Sequence, residues 1–276
     1  KTEYTGATGM YRLYKALKST HNFTAVVDLH YVLRSILLTA FFKISGYKTA
    51  VIDKGRKEKK ALTQKENKSL HQLTPMHNRY AEVFNKAGFP VILKNDSPVY
   101  PKQKLPIAVE QFFLSGKRVI GLAPFAQHAE KMYPIDKMKT VAQELATNHI
   151  VLLFGGGKEE SAVLQTWENE ITGLKNVSGK FSFQDELAII SNLDTMISMD
   201  SANMHLASLF GVKVVSIWGA THPFAGFYGW GQLSQDIVQI DLPCRPCSVF
   251  GNKPCYRGDN ACMNNISAQQ IINKLQ

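Results

Sequence analysis

Cysteine is scarce, with four in 276 residues. So few thiols cannot staple a chain of this length, so a disulfide scaffold is excluded and reduced thiols in a cytosolic setting are expected. Long apolar runs are missing as well. Runs such as residues 36–38 and 151–154 fall far short of the ~20 residues that span a bilayer. No leader pattern opens the sequence, because residues 1–9 are polar and no apolar core follows them. Acidic residues are thin in the first part. Residues 1–104 hold 7 acidic against 19 basic, a surplus of 12, whereas residues 105–276 hold 15 acidic against 13 basic. There is no internal repeat, no low-complexity segment, no G-x-G-x-x-G fingerprint and no Walker A loop.

What is present is an ordinary globular composition, 45% hydrophobic, 10% aromatic and 20% charged, enough for two packed cores. The densest basic stretch, residues 54–68, holds Lys54, Arg56, Lys57, Lys59, Lys60, Lys65 and Lys68 against Glu58 and Glu66. Such a run is either a solvated face or a surface for an anionic partner such as a lipid headgroup or a phosphorylated glycan. Nucleic acid fits least, since aromatics are not interleaved and Arg is rare beside Lys.

Apolar spacing then predicts alternating strands and helices. Strands are expected over 23–28, 118–124, 150–154, 195–199 and 213–218. Helices are expected over 30–45, 70–87, 136–148, 158–172, 182–191, 201–210 and 267–275, with Gly88 and Gly211 as C-terminal caps and Ser267 as an N-cap. Short strand–helix connections mean an α/β protein with parallel sheets covered on both faces. Residues 94–105, rich in Pro, Lys and Ser, read as a linker between an amino-terminal unit, 1–104, and a carboxy-terminal unit, 105–276.

Ligands in such folds lie at the carboxyl ends of the strands, and three strand ends carry chemistry. The first runs from Pro124 through Gln127 to Lys131 and Tyr133-Pro134, where a lysine could neutralise a phosphate or be a plain surface residue. The second is Gly155-Gly156-Gly157-Lys158-Glu159-Glu160. Its glycines would let a ligand approach backbone, and its acids could take ribose hydroxyls or simply suit a helix N-terminus. The third is Asp200-Ser201-Ala202-Asn203-Met204-His205, where free N–H groups at a helix start suit a diphosphate. There Asp200 could hold sugar hydroxyls or only cap the helix, and His205 could face the same mouth or pack under the sheet.

Asp200 to Ala207, followed by Phe210-Gly211-Val212 and Trp218-Gly219-Ala220-Thr221-His222-Pro223, resembles glycosyltransferase family 9, the ADP-heptose:lipopolysaccharide heptosyltransferases and their relatives. Asp28-Leu29-His30 with Leu33-Arg34-Ser35, the Pro124–Lys131 loop, the glycine turn, and the tail with Cys244, Cys247, Cys255 and Cys262-Met263 agree in order and spacing. The resemblance implies a GT-B type fold: two Rossmann-like domains with parallel sheets facing a cleft, the first domain here incomplete. It implies a sugar-nucleotide donor, ADP-heptose, with no further cofactor and no metal. The implied donor-binding residues are Lys131 at the diphosphate, Asp200 at the sugar, Ser201, Ala202 and Asn203 as a phosphate cradle, and Glu159 or Glu160 at the ribose. His205, Gln127 and Thr221 stand beside them. Arg34, Arg56 and Lys57 are implied on the acceptor side. The reaction would be inverting transfer of a heptose or related sugar to a lipopolysaccharide core or lipid A precursor, peripherally at the inner face of the inner membrane.

Departures carry weight. Ala202 and Asn203 stand where the family shows Gly and Pro or another apolar residue. The family opens with a strand, a Gly-Asp loop and a helix, whose aspartate is the proposed general base. This sequence begins near what would be the third strand, so the catalytic base is unassigned, and Asp28 and Asp53 are poor substitutes. A sheet without its first strands would expose an apolar edge. The four cysteines within residues 244–262 offer a zinc or iron–sulfur alternative, although their 2-7-6 spacing and Pro243, Pro246 and Pro254 favour a rigid loop. Other readings are a sugar-nucleotide epimerase, a catalytically impaired binding protein of the same fold, and a zinc-dependent nucleic-acid binder.

Overall fold

The computed structural model describes residues 3–94 and 98–275. The chain divides into two compact units, one of residues 1–59 and 73–94, the other of residues 60–72 and 95–276. The division falls at 94/95, not near 105, because the end of the expected linker is tied to the second unit. Val99 and Tyr100 donate backbone N–H groups to Leu209 O at 2.9 and 3.1 Å. Gln103 N donates to Ser191 Oγ at 2.9 Å. Residues 95–97 of that stretch lie outside the described residues.

The first unit contains α1 (Gly6–Thr20), β1 (Ala25–Asp28), α2 (Leu33–Ile44), β2 (Lys48–Val51), the first turn of α3 (Arg56–Leu62) and α4 (Met76–Lys86). β1 and β2 pair in parallel from Ala25 opposite Lys48 to Asp28 opposite Val51, with α2 as the crossover. α2 starts later than the periodicity predicts. Asp28 Oδ1 accepts from the N–H groups of His30 and Tyr31, each at 2.8 Å, and Oδ2 accepts from Ser35 Oγ at 2.8 Å. That turn delays the helix, and it fully occupies the Asp28 carboxylate with structure. The helix expected over 70–87 begins only after Pro75, which stands at its N-cap. Gly88, at φ +86°, closes it as expected. The core is small: Ala50, Ile52, Val83 and Ala87, beside an aromatic group in which Phe42 touches Tyr14, Phe23 and Tyr47.

The second unit runs α5 (Ile107–Phe113), β3 (Val119–Ala123), α6 (Ile135–Ala146), β4 (Ile150–Leu153), α7 (Gly157–Glu170), β5 (Leu174–Asn176), α8 (Phe183–Asn192), β6 (Thr195–Met199), α9 (Ala202–Leu209), β7 (Lys213–Ile217), β8 (Ile237–Val238), α10 (Ala261–Asn264) and α11 (Ala268–Ile272). Its six strands lie in the order β5-β4-β3-β6-β7-β8, all parallel. Every residue of β3 and β6 is buried, as continuous apolar strands in a doubly covered sheet must be. Alternate residues serve opposite faces: Ile120, Leu122, Ile197 and Met199 enter one core, and Val119, Ala123 and Met196 the other. Gly121 is required by a close approach, since a Cβ there would stand 2.5 Å from Leu193 Cδ1. The chain leaves β3 toward β4 and β5, then returns to the other side of β3 as β6. The order therefore reverses between β3 and β6, and the crevice above such a switch point is where doubly wound sheets bind ligands.

Candidate functional site

The loops leaving β3, β4 and β6 surround a cavity of about 580 Å³ above that switch point. Lys131 follows β3 and Asp200 ends β6, so adjacent strands deliver them to the same place. Lys131 Nζ lies 3.0 Å from Asp200 Oδ2, with side-chain exposures of 15% and 9%. Thr221 Oγ1, in the loop after β7, donates to the same carboxylate oxygen at 2.9 Å. Two donors thus fix the carboxylate and leave Oδ1 for another. Ser201 stands at the N-cap of α9 with extended backbone, and its Oγ pairs with Ser198 Oγ at 2.9 Å, so it does not cap its own helix. The first N–H groups of α9 therefore remain available beside a lysine, the elements of an anion site.

Glycine geometry shapes the β4 end. Gly157 has φ +84°, and Gly156 N donates to Glu160 Oε2 at 2.6 Å. Glu160 lines the cavity and Glu159 does not, which separates the two acids the sequence left open. Gln127, Ser201, Ala202, Asn203 and His205 line it as well. His205 thus faces the mouth and does not pack under the sheet. Loss of water around its ring pushes its pKa below the ordinary histidine value; Asp200 opposes and Lys131 adds to the effect. Thr221 is 1% exposed and touches the cavity only through Asp200.

The sequence reading missed the aromatic wall, to which Phe125, Phe154, Phe183, Phe227 and Phe250 contribute, and also Glu186. These residues come from five separate stretches, so no local pattern joins them. Beneath the site, buried Arg245 gathers carbonyls: Nε donates to Gly219 O at 2.5 Å, and Nη2 donates to Thr221 O at 3.0 Å. It thereby holds the loop that carries Thr221.

The four cysteines are free. Burial, then the neighbouring thiols, pushes Cys247 up to about 11, and burial raises Cys262 too. Among the described residues no group of three or more His, Cys, Asp or Glu side chains is arranged to hold a metal ion.

In the first unit, Arg56 and Lys57 line a separate cavity of about 400 Å³ at the carboxyl end of β2, with Tyr31, Asp53 and Lys54. Arg56 donates to Tyr31 O at 3.0 Å, and its guanidinium lies 5.4 Å from that ring. Arg34 is exposed in the first turn of α2 and does not line this cavity.

Residues 10–254 match the family model for glycosyltransferase family 9 (heptosyltransferase). The chain is 26% identical over 207 residues to lipooligosaccharide heptosyltransferase 2 of Campylobacter jejuni, covering 71% of this chain and 64% of that protein. It is 28% identical over 152 residues to the protein of the same name from Haemophilus influenzae, covering 51% and 44%. The chain thus spans less than two thirds of the length of these curated relatives. Among solved structures, a family 9 glycosyltransferase from Veillonella parvula superposes with a TM-score of 0.67 at 16% identity, covering 97% of this chain and 76% of that one. E. coli heptosyltransferase WaaC with ADP superposes with a TM-score of 0.59 at 17% identity, covering 98% and 78%. These likenesses confirm the α/β fold with parallel sheets, of GT-B type. With the family model matching residues 10–254, the chain belongs to glycosyltransferase family 9, the heptosyltransferases.

Proposed function

We propose that the protein is a glycosyltransferase that moves a heptose from an ADP-activated donor to a lipopolysaccharide core acceptor, with inversion at the anomeric carbon and without a metal ion. The observation that carries this reading is the pair Lys131–Asp200 above the β3/β6 switch point, beside the start of α9. A sugar nucleotide presents two negative phosphates and a polyhydroxylated ring. Lys131 and the α9 N–H groups meet the phosphates, supplying the positive charge that a leaving diphosphate gathers. Asp200, held by Thr221, accepts from sugar hydroxyls through Oδ1. Glu160 takes the ribose. Inversion follows when the acceptor oxygen attacks the face of the anomeric carbon opposite the diphosphate; the bond to the diphosphate oxygen breaks, ADP leaves, and the hydroxyl proton passes to a base or to water.

The acceptor side is assigned to the basic first unit, with Arg56 and Lys57 meeting acidic groups on the glycan and Arg34 nearby. Work at the inner face of the inner membrane suits a surplus of 12 positive charges over residues 1–104. No helix of the described residues is long and apolar enough to cross a membrane.

Calorimetric titration with ADP tests the donor site. Binding is expected to weaken roughly 10- to 100-fold in Lys131→Ala, the range for losing a charged hydrogen-bonding partner. Equal affinity in the parent and the variant sinks the assignment. Incubation of the chain with ADP-heptose and a heptose-free core oligosaccharide, read as one heptose of added mass with and without EDTA, tests the transfer and its metal independence.

A further inference from the structure

Three carboxylates line the cavity of the second unit, and two have partners. Asp200 is held by Lys131 and Thr221. Glu160 accepts from Gly156 N. The third, Glu186, is half-buried in the first turn of α8 and makes no side-chain hydrogen bond or ion pair with the described residues. Its neighbour Asp185 does have a role: Oδ2 accepts from Ser182 Oγ at 2.7 Å at the start of the helix. Burial alone raises the Glu186 pKa above the ordinary carboxylate value, with no cation near enough to lower it.

Its place in the fold says what would meet it. α8 enters from β5, which is three strand spacings from β6, or ~14 Å at the usual spacing. Lys131 and the α9 N-terminus lie at the β3/β6 end of the cavity. Glu160 and the glycine turn lie at β4, between the two. From Lys131 toward Glu186 the cavity thus offers a cation, a ribose-sized carboxylate and then an unpartnered acceptor, in the order phosphate, sugar, base. Phe183 lies three residues before Glu186 on the same helical face and also lines the cavity, yet its side chain is 64% exposed. An exposed ring beside a lone acceptor suits a flat heteroaromatic partner with an N–H edge.

We propose that Glu186 reads the base of the donor nucleotide, its carboxylate accepting from the exocyclic amino group of adenine while Phe183 stacks on the ring. An ionised carboxylate only accepts, so a base with an oxo group in that place would meet two opposed acceptors and be rejected. This rests on the donor reading above and adds the residue that selects the nucleotide.

ADP and inosine diphosphate differ along that edge, amino against oxo at C6 and a bare nitrogen against N–H at N1, and serve as the probes. In calorimetry at neutral pH the parent chain is expected to prefer ADP by roughly 10- to 100-fold. Glu186→Gln, whose amide can turn either its N–H₂ or its carbonyl toward the base, is expected to bring the two affinities within roughly threefold of each other. Phe183→Ala is expected to weaken both by a similar factor and keep their ratio. Circular dichroism and the thermal midpoint confirm that each variant is folded. If ADP binds but the parent does not discriminate, or the Glu186→Gln ratio matches the parent's, Glu186 is not the base reader and the donor reading stands. If a folded parent binds neither nucleotide, the donor reading falls and this proposal falls with it.

Discussion

Thr221 never meets the cavity, yet its hydroxyl decides where the Asp200 carboxylate points. Thr221→Val keeps the shape and removes a hydroxyl from that oxygen, leaving a buried acceptor short of one donor, at a cost of about 1–3 kcal/mol. Affinity for ADP-heptose should fall while the fold persists; an unchanged ADP-heptose affinity would show that Lys131 alone positions Asp200. His222, 5% exposed, is a second case. Its Nδ1 accepts from Phe224 N, and burial, then the Arg245 cation, holds its pKa down to about 4. The unfolded chain protonates this ring near pH 6.5, and the folded one resists until about 4. Stability is therefore complete above 6.5 and declines as pH falls through that window, by about 2 kcal/mol at pH 5. Urea unfolding at pH 7 and pH 5 should show that loss, reduced in His222→Asn, which retains an acceptor but does not titrate. Asp200 was legible in the sequence because it directly follows an apolar strand, and Lys131 because it stands in the loop into which one leads. Glu159 and Glu160 were not separable there, since the choice depends on where the first turn of α7 aims each side chain.

Elements with a strong period were readable from sequence. The predicted strand over 195–199 is β6 to the residue, and those over 150–154 and 213–218 each end one residue early. Short elements were not. β5 has three residues and β8 two, so their pairing with β4 and β7 comes from the sheet and not from their own pattern. α1 and α5 also escaped. The loop after the second cysteine is another feature only the fold explains. Gly251 has φ +75° and packs on the Lys131 side chain. A methyl group there would be strained and would press on the lysine stem. Gly251→Ala should weaken ADP binding several-fold and lower the thermal midpoint by a few degrees, since strain at such a φ costs about 1–3 kcal/mol. A parent-like affinity would separate this loop from the site.

The two units differ in how much apolar surface they bury. The second packs two clusters on either face of six strands, whereas the first rests on a two-stranded sheet and a handful of buried residues. Opening free energies should follow. Hydrogen exchange followed by mass spectrometry is expected to find amides of β3, β4 and β6 roughly 100-fold or more slower than those of β1 and β2; matching rates would mean that both units open as one.

The last twenty or so residues belong to that larger core. Cys262, Met263, Ile266, Ile271 and Leu275 sit in the same cluster as Ile120 and Val151. Ile266 O receives the Tyr133 hydroxyl, and Leu275 O receives Arg118. During synthesis the face of β3 that these residues cover stays partly open until the 152 residues from Pro124 to Leu275 have followed it. At about 5–20 residues per second that interval lasts roughly 8–30 seconds. Once β8 is made, the chain holds all six strands of the sheet without their final cover, an apolar face open to misassociation until the tail docks.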